Sequence, residues 1–234
     1  MAKVSFIGLG VMGYPMAGHL AAEGHQLCVY NRTPAKAQSW VECFAADSAA
    51  TPREAVAGAE FVMVCVGNDD DLRSVVLGPD GVFAGMAAGA VLIDHTTASA
   101  TLARELALLA AERELGFLDA PVSGGVQGEP QIYQRALPVL ESYAKMGSLM
   151  GPAGSGQLTK MVNQICIGGL LQGLSEALHF AQCAGLDASA AMQVIRHGAA
   201  QSWQLEHRHQ SMLAGEFEHG FAVDWMRKDL AILL

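Results

Sequence analysis

Short apolar runs alternate with longer segments of helical periodicity through the first 150 residues. The apolar runs lie at 3–7, 26–30, 61–66, 90–93 and 116–118. They lack the polar alternation of half-exposed strands, so we predict strands that are buried on both faces. Stretches such as 12–23 and 102–114 have the length and apolar spacing of helices. This βαβα order predicts an α/β fold with a mostly parallel sheet, which binds ligands at the carboxyl ends of its strands.

The pattern changes from about residue 156. Residues 157–184 contain no proline and keep helical apolar spacing, and no strand-like run follows them. Gly185 is placed to end this long helix, Asp187 to cap the next, and 221–234 has the pattern of a final helix. We therefore predict an all-α domain at 156–234, joined to the first domain by the long helix.

A glycine-rich loop follows the first predicted strand, in the order Gly8-Leu9-Gly10-Val11-Met12-Gly13. Gly8 permits a tight turn, Gly10 allows close approach of a pyrophosphate, and Gly13 allows the helix to pack on the strand. The helix that starts near Val11 directs its N–H groups at the phosphates. Glycines also serve ordinary turns, but the strand before and the helix after favour a dinucleotide site. Residues 1–155 are thus predicted to form a doubly wound Rossmann-type domain.

The second strand ends at Asn31-Arg32-Thr33, where an NAD-selective fold would place an acidic residue for the ribose diol. Arg32 instead offers a planar set of donors suited to a 2′-phosphate, with Asn31 and Thr33 as neutral partners. A solvated loop arginine is the alternative. We favour NADP over NAD as the cofactor.

Composition and charge narrow the class of protein. The 234 residues are 51% hydrophobic and carry a formal net charge of −9, which argues against disorder and against a nucleic-acid partner. We see no membrane span and no secretory signal, and we expect a cytoplasmic protein. The five cysteines show no Cys-x-x-Cys pairing, so we expect reduced thiols in the core.

The segment Asp119-Ala120-Pro121-Val122-Ser123-Gly124-Gly125 follows the strand at 116–118. Ser123 and the backbone N–H groups beside the adjacent glycines could bind a small carboxylate without net positive charge. Taken alone, the segment also suits a plain loop.

A lysine lies near the start of the long helix. Lys160 would be one turn inside it, with Asn163 on the same face. A partly desolvated ammonium has a lowered pKa and can exchange a proton with a substrate hydroxyl. A surface lysine is the alternative.

The histidines do not indicate a metal. His207 and His209 would point to nearly opposite sides of a helix, and the pair Glu176 and His179 lacks the second copy that a di-iron site needs. We predict no metal site.

Four segments, in order, resemble the signatures of the β-hydroxyacid dehydrogenases, which include 3-hydroxyisobutyrate dehydrogenase. They are the glycine loop with Pro15-Met16-Ala17, the segment 119–125, the segment 154–163, and Lys228-Asp229-Leu230. The resemblance implies that Lys160 is the catalytic acid/base and that Ser123, Gly124 and Gly125 hold the substrate carboxylate. It implies that Asn163 and Gln164 share a role in assisting the substrate.

The resemblance also extends the set of cofactor contacts. The complete set is Gly8, Leu9, Gly10, Val11, Met12, Gly13, Asn31, Arg32, Thr33, Val66, Asn68, Thr96, Thr97 and Lys228. Relatives carry a further strand after the position of Gly128, and more helices after that of Leu230. We therefore expect either that an edge strand and part of the core are missing here, or that this sequence omits segments of a longer parent chain.

Three functions remain open at this point. The first is an oxidoreductase that transfers hydride between NADP(H) and a small β-hydroxyacid or semialdehyde. The second is an imine reductase, which shares the architecture but carries another residue type at the position of Lys160. The third is a non-catalytic NADP-binding module. The resemblance implies a homodimer or homotetramer.

Overall fold

The structure is a computed structural model that describes residues 1–218 and 222–234, and the chain divides into two compact units, Met1–Lys160 and Met161–Leu234. Within these residues the strands are β1 (Lys3–Ile7), β2 (Gln26–Tyr30), β3 (Asp47–Ser48), β4 (Phe61–Val64), β5 (Val91–Asp94), β6 (Gly116–Asp119), β7 (Gly125–Gly128) and β8 (Ser148–Leu149). The helices of the first unit are α1 (Gly13–Ala22), α2 (Pro34–Cys43), α3 (Pro52–Ala55), α4 (Asp69–Leu77), α5 (Val82–Gly85), α6 (Ala100–Ala111) and α7 (Pro130–Leu140). The helix α8 (Ser155–Cys183) contributes residues to both units, and α9 (Ala188–Ile195), α10 (Trp203–Ala214) and α11 (Val223–Ala231) follow it.

The strands of the first unit form one sheet in the order β3-β2-β1-β4-β5-β6-β7-β8. All neighbours pair in parallel except β6 and β7, so the predicted mostly parallel α/β sheet is confirmed. The register between Asp94 and Asp119 places the carboxyl ends of β5 and β6 side by side. Loops from several strands therefore meet at one edge of the sheet.

Both faces of the sheet are covered by apolar side chains. In β4, Phe61 and Met63 belong to one buried cluster, whereas Val62 and Val64 belong to the other. This alternation explains why the strand sequences show no polar face, since each face packs against helices.

The far edge of the sheet differs from our expectation. Residues 125–128, which include part of the predicted carboxylate loop, form strand β7, and β8 extends the sheet further. Strand β7 lies before the position at which we expect a strand to be missing, and helix α7 begins at Pro130, directly after β7. β7 pairs Gly128 with Leu118 and Gln127 with Asp119, and this pairing satisfies backbone groups that would otherwise leave β6 as an open edge.

The second unit is helical, as predicted. The Asp187 side chain accepts a hydrogen bond from the backbone N–H of Ala190 at 3.0 Å, which caps α9. Leu174, Leu178 and Met192 lie in its buried cluster. The final helix begins at Val223 in the described residues; Phe221, where the pattern predicts its start, lies outside them.

Three of the five cysteines are not core residues. Cys43, Cys166 and Cys183 are exposed, whereas Cys28 and Cys65 are partly buried. The prediction of core thiols is wrong for the three exposed cysteines, because an apolar segment of an amphipathic helix also has a solvent face, on which Cys166 and Cys183 lie; Cys28 and Cys65 pack against the core. None of the five cysteines, all of which lie in the described residues, forms a disulfide.

No helix within residues 1–218 and 222–234 is long and apolar enough to cross a membrane.

Candidate active site

The three glycines of the loop after β1 have the different surroundings that the motif requires. Gly8 has φ +99° and a side chain on it would collide with the Cys65 carbonyl oxygen, while one on Gly13 would collide with the Gly8 carbonyl oxygen. Among the described residues, no atom lies within 4 Å of the position that a side chain on Gly10 would take. The backbone is therefore crowded where it turns and where α1 packs, and open where a phosphate would approach.

The end of β2 holds this loop in place. The Leu9 backbone N–H donates to Asn31 Oδ1 at 3.0 Å, and Asn31 Nδ2 donates to the Thr33 carbonyl oxygen at 3.1 Å. Asn31 thus joins two predicted cofactor segments. The neighbouring Arg32 side chain is exposed, and its Nη1 lies 2.6 Å from Asp71 Oδ1 in the first turn of α4.

The loops after β4 and β5 also meet. The Val66 backbone N–H donates to Thr96 Oγ1 at 3.1 Å, and the Thr96 N–H donates to Asp94 Oδ1 at 2.9 Å. The side chain of Asn68 accepts from the Asp71 N–H and so caps α4. Thr97 follows Thr96 in the same loop.

Asp94 is a fully buried carboxyl that the sequence reasoning did not single out. Burial raises its pKa to about 7, against the hydrogen bonds from Thr96. Among the described residues, Asp94 Oδ2 has no hydrogen-bond partner. The sequence contains one signal for Asp94, which is a charged residue at the end of an apolar strand.

A contact between His95 and Tyr143 joins the loop after β5 to the segment that follows α7. His95 Nδ1 lies 2.6 Å from the Ala120 carbonyl oxygen and Nε2 lies 2.8 Å from the Tyr143 hydroxyl. Burial lowers the His95 pKa to about 4, so the ring is neutral at pH 7 and donates from Nδ1 to the carbonyl. This contact fixes the backbone just before the Ser123 segment.

The predicted carboxylate segment is partly loop and partly strand. Ser123 is exposed, Gly124 has φ +92°, and Gly125 is the first residue of β7. A side chain on Gly125 would lie 3.2 Å from Thr159 Cγ2. Gly125 therefore lies against the residue that precedes Lys160.

Asp119 fixes the start of α8 to the end of β6. Its carboxylate accepts backbone N–H bonds from Gly154 at 2.8 Å, Gly156 at 3.0 Å and Gln157 at 3.1 Å. Burial raises the Asp119 pKa, and these hydrogen bonds oppose the shift. The carboxylate occupies the helix N-terminus, where the dipole stabilises negative charge.

Gln157 extends this attachment to the loop after β5. Its Oε1 accepts from the Ala98 N–H at 3.0 Å and its Nε2 donates to the Thr96 carbonyl oxygen at 2.7 Å. Lys160 follows three residues later and is partly buried. The turn of α8 that carries Lys160 is thus fixed to the carboxyl edge of the sheet.

In the second unit, Asp229 brings three predicted residues together. Asn163 Nδ2 donates to Gln164 Oε1 at 2.8 Å, and Gln164 Nε2 donates to Asp229 Oδ2 at 2.6 Å. Lys228 Nζ lies 2.8 Å from Asp229 Oδ1, and Asp229 is 2% exposed. Sequence reasoning quoted Asp229 in a signature but did not assign it a role, because its partner is 65 residues away.

A cavity of about 690 Å³ lies away from these residues. It is lined by Gly116 and Phe117 at the amino end of β6, and by Ile132 and Met150. Since ligands of parallel sheets bind at the carboxyl ends of strands, we assign the chemistry to the loops and not to this cavity.

Comparison with known proteins shows the family to which the chain belongs. Residues 3–151 match the family model described as the NAD binding domain of 6-phosphogluconate dehydrogenase. Residues 154–234 match the family model described as "NAD-binding of NADP-dependent 3-hydroxyisobutyrate dehydrogenase". The chain belongs to the β-hydroxyacid dehydrogenase family.

Individual members of the family align along the whole chain. An uncharacterized oxidoreductase of Shewanella frigidimarina is 55% identical over 246 aligned residues, which cover 100% of this chain and 84% of the relative. The 3-hydroxyisobutyrate dehydrogenase of Pseudomonas aeruginosa is 33% identical and covers 100% of this chain and 85% of its own length. The solved structure of Mycobacterium tuberculosis 3-hydroxyisobutyrate dehydrogenase with L-serine has a TM-score of 0.88 at 29% identity, over 100% of this chain and 85% of that one.

Membership of the β-hydroxyacid dehydrogenases identifies the chain as an NAD(P)-dependent oxidoreductase that acts on 3-hydroxyacids. Family membership also indicates a chemical role for the glycine loop and for the Asp119 contacts. The glycine loop is the candidate dinucleotide site of this enzyme, and the Asp119 attachment positions a helix that carries a candidate proton donor.

Proposed function

We propose that this dehydrogenase uses NADP(H) to interconvert a small β-hydroxyacid and the corresponding semialdehyde or ketoacid, as 3-hydroxyisobutyrate dehydrogenases do. The attachment of α8 by Asp119 carries this proposal. Strand β6, which ends at Asp119, leads directly into the Ser123 segment. One carboxylate therefore keeps the proposed carboxylate-binding segment and the helix of Lys160 at the same edge of the sheet.

The residues around the glycine loop fit a dinucleotide. Open space at Gly10 leaves room for the pyrophosphate, and Arg32 supplies the donors for a 2′-phosphate. Val66, Thr96 and Thr97 border the same edge of the sheet. When bound, the cofactor supplies or accepts the hydride.

The chain's own residues hold the substrate and move the proton. Ser123, with the backbone at Gly124 and Gly125, binds the substrate carboxylate. In the reductive direction, Lys160 Nζ donates a proton to the carbonyl oxygen as the carbonyl carbon gains hydride; in the oxidative direction, it takes the hydroxyl proton. Asn163 and Gln164 orient the reacting oxygen. Asp229 holds both Gln164 and Lys228 in position, and we propose that Lys228 contacts the cofactor.

The substitution Lys160→Ala tests the mechanism. General acid/base catalysis contributes about 10²- to 10⁴-fold, so kcat should fall by that factor while NADPH binding persists. NADPH oxidation with a panel of semialdehydes and cyclic imines measures kcat, and cofactor fluorescence measures binding.

Lys145→Ala is the matched control, because Lys145 is an exposed lysine of the first unit. It should keep the wild-type rate. A Lys160→Ala enzyme with near-normal turnover would refute the role of Lys160. Turnover of cyclic imines in place of semialdehydes would refute the proposed substrate class.

A further inference from the structure

The arginine proposed for the 2′-phosphate is engaged by an acidic residue. Arg32 Nη1 lies 2.6 Å from Asp71 Oδ1, and the two side chains are 80% and 27% exposed. The pair joins the loop after β2 to the first turn of α4, which β4 precedes in the chain. It therefore lies across the two loops that flank the end of β1, where the glycine loop begins.

The position of Asp71 is fixed by its own helix. Its backbone N–H donates to Asn68 Oδ1 at 2.8 Å, so Asp71 belongs to a capped first turn, where a negative charge is favoured. Arg32, in contrast, is a long side chain that is mostly exposed. An exposed ion pair of this kind contributes little to stability. The ion pair matters for cofactor binding, because Asp71 occupies the Arg32 guanidinium.

A 2′-phosphate and Asp71 compete for the same cation. The phosphate must share the guanidinium with a carboxylate already 2.6 Å from Nη1, and two anions bound to one guanidinium repel each other. NAD has a neutral ribose hydroxyl at this position and meets no such competition.

We propose that Asp71 is a cofactor-specificity residue, which weakens the preference for NADP by engaging Arg32. This inference rests on the proposed use of NADP(H). On this inference the chain prefers NADP only moderately and also accepts NAD. The residue that sets this preference, Asp71, lies outside the glycine loop and outside the second strand.

The substitution Asp71→Asn tests the inference by direct binding. It keeps the size of the side chain and removes the charge, so NADPH should bind about tenfold more tightly while NADH affinity stays within twofold. Titration of cofactor fluorescence at low ionic strength measures both dissociation constants. The gain should shrink in high salt, because the charges are near the surface.

Asp70→Asn is the matched control, since Asp70 is an exposed neighbour in the same turn and the substitution makes the same change in net charge. It should change neither affinity by more than twofold. In an Arg32→Gln background, Asp71→Asn should improve NADPH binding by less than threefold, because the engaged cation is gone.

Unchanged or weaker NADPH binding by Asp71→Asn would overturn the inference, as would an equal gain in the Arg32→Gln background. If both cofactors bind the wild-type protein and Asp71→Asn has no effect, only the role of Asp71 fails. If neither cofactor binds, the proposed function fails as well.

Discussion

At the residue scale, buried carboxylates organise the candidate site. Asp119 and Asp229 each hold groups that are distant in sequence, and Asp94 holds the Thr96 backbone. Sequence placed Asp119 at the end of an apolar strand. It could not identify the N–H groups of Gly154 and Gly156 as partners, because this pairing depends on how the sheet and α8 pack.

Asp94 gives the protein a predictable pH dependence of stability. Its pKa rises from 3.8 to about 7 on folding, so the folded state binds more protons between these values. Its contribution to stability therefore falls as pH rises through this window. Asp94→Asn removes the ionisation, so the variant should gain relative to wild type by up to about 4 kcal/mol between pH 4 and pH 8.

Urea unfolding at several pH values measures this gain. Asp70→Asn, at an exposed position, should show no comparable trend. Parallel pH profiles for the wild-type protein and Asp94→Asn would contradict the assignment of Asp94 as the buried titrating group.

At the element scale, helix α8 combines a crowded start with an open middle. A side chain on Gly156 would collide with Gln127 Oε1 and come within 2.7 Å of the Asp119 carbonyl oxygen. For Gly169, in the same helix, no atom of residues 1–218 or 222–234 lies within 4 Å of the position that a side chain would take. The periodicity of 157–184 predicted the helix well, since local spacing determines it, but not which of its glycines are in contact with the sheet.

These two glycines make a matched test of the α8 attachment. Gly156→Ala should destabilise the protein by about 2–4 kcal/mol, because backbone atoms of β6 must move. Gly169→Ala should stabilise it by up to about 1 kcal/mol, because alanine favours the helix. Thermal unfolding of both variants checks the pair, and equal effects would contradict the packing described at Gly156.

At the scale of the whole molecule, sequence predicted the parallel sheet, the helical second unit and the family. It missed strand β7, because four residues with two glycines carry no strand signal until β6 presents an open edge.

The homodimer or homotetramer stays a prediction. Val162, Phe180 and Val194 of the second unit are exposed apolar residues.

Transfer of deuteride is the most direct test of the central claim. With [4-²H]NADPH of the reactive configuration and the semialdehyde panel, mass spectrometry should find one deuterium, on the carbon that bears the new hydroxyl group. Lys160→Ala should slow its appearance about 10²- to 10⁴-fold. Hydroxyacid products without deuterium, or deuterium only in amines formed from cyclic imines, would contradict the account.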